Sequence, residues 1–197
     1  PPGRPWYTAA MSERQAALLR GINVGRAKRV AMAELRAAIA DLGYTDVTTL
    51  LNSGNVAYGT TDPLDLAEQR ITAAIADRCN VRCRVMTVDA AWLGSTIDAD
   101  PLGAVATDPS RYLVAVLAPG IPAGNTALDA VVAADWGPER VAAGPRAVYL
   151  WCPGGILDSP LAAAFGKATS DRATVRNWST LCKLRLRVCG SSGGSEG

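Results

Sequence analysis

Ala17-Leu18-Leu19-Arg20-Gly21-Ile22-Asn23-Val24-Gly25 ends an apolar run in a polar, glycine-bearing turn, and Asn52-Ser53-Gly54-Asn55 interrupts a second apolar stretch further along. A short run of this kind bounded by turn residues reads as a buried strand. Glycine lets backbone N–H groups approach a ligand closely, while amides and an arginine supply directed hydrogen bonds. The two turns therefore mark strand ends and the place where a site would lie.

Working outward, residues 16–22 read as a strand, and Met32, Leu35, Ile39 and Leu42 recur at helical spacing, with Gly43 in a usual stop position. Residues 47–51 and 56–58 flank the Asn52 turn as a hairpin; a helix follows over 64–77 and a strand over 81–88. The order is β-α-β-β-α-β. Residues 90–109 form a linker with a short helix, broken at Asp100-Pro101 and Asp108-Pro109. The same order then returns. Residues 112–117 are a strand, and Asn125 caps a helix that ends near Trp136-Gly137. Residues 140–142 and 147–151 make a hairpin about Gly144-Pro145, and Ser159-Pro160 opens a helix over 161–168. A strand over 173–175 leads into a terminal helix over 178–188. The expected architecture is α/β (α+β): two tandem ferredoxin-like units with a C-terminal helix. Its expected divisions are an extension over 1–10, with Met11 reading as the natural start, a first unit over 11–89, a linker and second unit over 90–189, and a flexible tail over 190–197.

A chain of 197 residues with 49% hydrophobic and 19% charged residues is long enough to bury a core without metal or disulfide help. Its net charge of +2 demands no acidic partner. The chain has no histidine, which excludes Ser-His-Asp and Cys-His mechanisms. Cys79, Cys83, Cys152, Cys182 and Cys189 are an odd set without zinc-ribbon spacing and read as reduced thiols. No metal and no cofactor is expected. No stretch approaches the roughly twenty apolar residues that cross a bilayer, and the expected compartment is the cytoplasm.

The strings Ala17 to Gly25, Met32-Ala33-Glu34-Leu35-Arg36, Leu42-Gly43-Tyr44-Thr45-Asp46-Val47, Asn52-Ser53-Gly54-Asn55-Val56, Val148-Tyr149-Leu150-Trp151 and Arg176-Asn177-Trp178-Ser179-Thr180 resemble domain of unknown function family 1697. The resemblance spans residues 16–186. It implies a largely bacterial cytoplasmic protein of two ferredoxin-like units, and no established activity. The chain departs from the family pattern at Arg26, where a second glycine is usual, and at Ala31, where proline is common. Asp158, Ser159 and Pro160 stand where a basic residue, Ser or Thr, and Lys often occur, which removes two cations from that rim.

In a β-α-β-β-α-β sheet the first strand ends where the central hairpin turns and the fourth strand begins. Residues 20–25, residues 52–55, and Asn80 with Arg82 are therefore expected on one rim of the first unit, and Pro153-Gly154-Gly155 beside Arg176-Asn177 on one rim of the second. The candidate ligand-binding residues are Arg20, Asn23, Asn52, Ser53, Asn55, Arg176 and Asn177. The candidate ligand is a small anionic or nucleotide-like molecule: the arginines neutralise charge while the amides and Ser53 orient it. Simpler readings stand beside this one. Turn chemistry alone accounts for the Asn52 hairpin, helix capping for Asn177, and burial in the core for Trp178. Arg176 resists such a reading, because a cation at a helix N-terminus opposes the macrodipole. The alternative function is a scaffold or nucleic-acid-binding module contacting phosphate through Arg26, Lys28, Arg29 and Arg82. Base stacking on the central strands is disfavoured, since the first strand has no aromatic residue and the third only Tyr58. No catalytic base stands out, and the oligomeric state is not encoded in any motif.

Overall fold

The computed structural model describes residues 12–23, 29–118, 126–144, 147–170 and 172–190. In chain order the elements are β1 (Glu13–Arg20), α1 (Met32–Ala40), β2 (Thr45–Leu50), β3 (Asn55–Thr60), α2 (Leu64–Cys79), β4 (Arg84–Asp89), α3 (Ala90–Ala99), β5 (Tyr112–Leu117), α4 (Thr126–Ala133), β6 (Arg140–Ala143), β7 (Ala147–Trp151), α5 (Pro160–Thr169), β8 (Ala173–Asn177) and α6 (Trp178–Cys189). The strands form two four-stranded sheets, ordered β2-β3-β1-β4 and β6-β7-β5-β8, with every pairing antiparallel. Both halves thus take the ferredoxin-like order expected from the sequence. β1 and β5 are central strands, covered on both faces, which is why Ala16 to Leu19 and Tyr112 to Val116 read as unbroken apolar runs.

Strand limits differ from the sequence reading at several ends. β1 starts at Glu13, because ladder pairing with Thr60 continues through polar residues, and it stops at Arg20, where Gly21 turns the chain with φ of 76°. β4 starts at Arg84 instead of residue 81, after Asn80 ends α2 in a left-handed conformation. β8 extends to Asn177, which pairs with Leu113. Ser159 caps α5 as expected, accepting from Ala162 N–H with Pro160 in the first turn. Val24, Gly25, Arg26, Lys28, the cap at Asn125, Pro145 and both terminal segments lie outside the described residues.

Three apolar clusters hold these layers together. Ala17, Leu19, Val56, Tyr58 and Val85 pack under α1 and α2, and Leu113, Ala115, Val148 and Leu150 pack under α4 and α5. The third cluster joins the other faces of both sheets. Ala16, Leu18, Ala57, Met86 and Val88 meet Tyr112, Val114, Val116 and Tyr149 there, with Trp92 and Leu93 of α3 and Leu181, Leu184 and Val188 of α6 packed between them. Trp178 stacks on Tyr112 with ring centroids 4.6 Å apart. The sheet faces that a base-stacking module would expose are therefore covered by protein.

Candidate functional site

At the first rim, antiparallel pairing sets Leu18 opposite Asn55 and Arg20 opposite Arg84. The Asn52 turn folds back onto the end of β1, with Leu19 N–H donating to Gly54 O at 2.8 Å. Gly54 has φ of 74°, and a Cβ there would lie 2.7 Å from Leu19 Cβ and 2.9 Å from Ile22 Cδ1. Only glycine fits this approach, so Gly54 serves the junction between the two turns. Asn23 is committed to its own loop: its amide donates to Val30 O at 3.1 Å and Asn52 O at 2.9 Å, while its Oδ1 accepts from Val30 N–H at 2.8 Å. Asn55 is fully buried, with Nδ2 donating to Leu50 O and Ser53 Oγ.

The second unit reaches this rim through β8. Arg176 donates from Nε to Asn55 Oδ1, from Nη1 to Thr174 Oγ1 and Val175 O, and from Nη2 to Leu19 O at 2.6 Å and Ser53 O at 3.4 Å. These bonds use all five guanidinium donors. They run along β8 and across to the first sheet, with none to α6. That answers the sequence argument from the helix dipole: the side chain leaves the helix N-terminus for the junction. Arg20 returns the contact by donating from Nη1 to Ala173 O. Each half thus sends one arginine to a backbone carbonyl of the other. Burial pulls the Arg176 guanidinium down to about 10, so it stays charged at neutral pH. Asn177 caps α6, its Oδ1 accepting from Thr180 N–H at 3.0 Å and from the Thr180 and Ser179 hydroxyls.

Beside this reciprocal pair lies a cleft of about 330 Å³ between the β1 rim and the α5–β8 edge of the second sheet. Its apolar wall comes from Leu19, Ile22, Leu113, Leu150, Ile156, Phe165 and Val175. Arg20 and Arg176 supply charge, and Ser53, Thr169, Ser170 and Thr174 carry hydroxyls. Gly166 also lines the cleft, where a Cβ would meet open space. Among the described residues, neither arginine has a carboxylate in ion-pair range. Of the seven candidate residues, the cleft gathers Arg20, Ser53 and Arg176. Asn23, Asn52, Asn55 and Asn177 stand outside its lining: Asn55 and Asn23 hold the junction, Asn177 caps a helix, and Asn52 is exposed at the turn. The α5 contribution has no motif in the sequence. Phe165, Gly166 and Thr169 reach the site only because the second half docks against the first.

The other expected rim exists as well. β5 begins where β7 and β8 end, with Tyr112 opposite Trp151 and Leu113 opposite Asn177, and Arg111 Nη1 donates to Pro153 O. Among the described residues, no helix is long and apolar enough to cross a membrane.

A conserved bacterial protein from Streptococcus pneumoniae has a similar fold, with a TM-score of 0.69 and 21% identity over 91% of this chain and 99% of its own. At that identity the likeness concerns the fold alone. No curated protein matches the chain. A model of a protein family of unknown function, DUF1697, matches residues 12–149, which is more than half of the sequence and includes the β1 rim, the Asn52 turn and the first strands of the second sheet. The chain belongs to the DUF1697 family.

Proposed function

We propose that this protein binds a small ligand with an apolar body and an anionic group in the cleft between its two sheets. The observation that carries this reading is the pair of cationic side chains, Arg20 and Arg176, set without a carboxylate partner in a mostly apolar cavity. A guanidinium in a poorly solvated wall attracts an anion more strongly than one on the open surface. The volume of about 330 Å³ lies at the small end of ligand pockets and suits a metabolite better than a polymer. Arg176, whose donors are all taken, acts through its field and its rigidity; Arg20 and the hydroxyls make the directed contacts. The free thiols support a reducing, cytoplasmic setting for this role. The nucleic-acid alternative gains less support, because both sheet faces are covered and Tyr58 is buried beneath the helices.

Thermal-shift measurements with nucleoside monophosphates and with aryl and alkyl carboxylates test the reading, using the parent and Gly166→Leu. The leucine fills the cleft without touching either arginine. Stabilisation of the parent that disappears in Gly166→Leu supports the cleft as the site. Absence of any shift across both ligand classes, or equal shifts in parent and variant, rejects it. An RNA oligomer that binds with a steep loss on added salt favours the alternative.

A further inference from the structure

Arg20 has a second cavity on its other side. Gly21, Glu68 and Thr72 of α2, and the segment Arg82 to Val85 line a more open depression of about 590 Å³ that shares Arg20 with the cleft. It brings three guanidiniums together with one carboxylate. Burial raises the affinity of Glu68 for its proton, while Thr87 N–H and the charge of Arg84 hold it ionised, so this carboxylate already serves the β4 edge. The Thr72 hydroxyl donates to Glu68 O at 2.7 Å.

Protection of an exposed sheet edge accounts for Arg82 and Arg84, which stand at the start of the outer strand β4. It does not account for Arg20. That residue belongs to a central strand and sits directly opposite Arg84, and like charges in such a pair are unfavourable. A bound anion removes that penalty. Resting on the cleft reading above, we infer that the ligand carries more than one anionic group. Its apolar body lies in the cleft, and a diphosphate-like end passes Arg20 to reach Arg82 and Arg84. The chemical class is a phosphorylated small molecule with two or more linked phosphates, recognised by arginines in series.

Inorganic pyrophosphate is the probe, because it can fill the second cavity without needing the first. Calorimetric titration and thermal shift are compared with sodium chloride at equal ionic strength, for the parent, Arg82→Ser, Arg84→Ser and Gly166→Leu. Arg82 and Arg84 are exposed, so their variants are expected to fold. The expected result is saturable pyrophosphate binding that weakens at least fivefold in Arg82→Ser and in Arg84→Ser and persists in Gly166→Leu. No pyrophosphate effect beyond that of chloride, or unchanged binding in Arg82→Ser, overturns the inference. Such a failure leaves the cleft reading untouched, since that reading is judged by ligands with apolar bodies and by Gly166→Leu. Failure of the cleft ligands with pyrophosphate binding retained sinks the linked-ligand form of the proposal and leaves a plain anion site.

Discussion

Arg176 ties the two halves by donating to Asn55 Oδ1 and to the carbonyls of Leu19 and Ser53. Arg176→Met leaves these acceptors without a donor, and the expected loss is about 3 kcal/mol in urea unfolding. Arg176→Lys should recover little of it, because an ammonium cannot reproduce the planar fork. Tyr44 and Asp62 set the pH range of stability in the first half. The Tyr44 hydroxyl donates to Asp62 Oδ2 at 2.6 Å, and Arg70 Nη1 donates to the same oxygen at 2.6 Å. The Tyr44 bond, followed by Arg70, holds the Asp62 carboxyl below its usual range. Its contribution is therefore present above the unfolded value of about 3.9 and is lost as pH falls through the lower folded value. Burial, followed by the bond to Asp62, pushes Tyr44 up to about 12. That contribution is present below the unfolded value of about 10 and is lost as pH rises through the folded one. Urea midpoints measured against pH should show both declines, and Asp62→Asn should flatten the acid side.

Among the elements, α5 combines a readable start with an unreadable role. Its Ser159-Pro160 opening is legible because capping and N1 proline are local chemistry. Its place in the cleft depends on docking across the chain, and no local pattern records that. Gly166 sits in this helix with open space beside it, so Gly166→Ala is expected to raise stability by about 1 kcal/mol, as read from the melting temperature. A fall in stability would mean that the cavity wall cannot accept even a methyl group. α6 was readable on both counts: Leu181, Leu184 and Val188 announce its buried face, and Asn177 its cap. Asn177→Ala should cost about 1 kcal/mol in the same assay. The asparagines of the two turns were legible as turn residues and misleading as ligand contacts. Their amides satisfy nearby backbone groups, a use that depends on tertiary proximity, as between Asn23 and Asn52 O.

For the whole molecule, the repeated β-α-β-β-α-β order was visible in apolar periodicity and turn spacing, but the union of the two halves was not. The sequence suggests divisions at residues 89 and 189; the shared core crosses the first of them, with α3 and α6 wedged between the sheets. We propose that the halves are structural units that do not unfold independently. A single calorimetric transition is expected, with the van't Hoff and calorimetric enthalpies equal. A fragment of residues 12–89 should fail to fold cooperatively, since it exposes Ala16, Leu18, Met86 and Val88 together. Two separable transitions would contradict this view. The same docking creates the cleft, and an amide NMR titration with 8-anilinonaphthalene-1-sulfonate, an aryl monoanion, locates binding directly. The account expects shifts concentrated at Gly21, Ile22, Gly166, Ser170 and Val175, and their loss in Gly166→Leu. Shifts scattered over exposed residues such as Leu157 and Leu186, with those cleft amides unmoved, would contradict it.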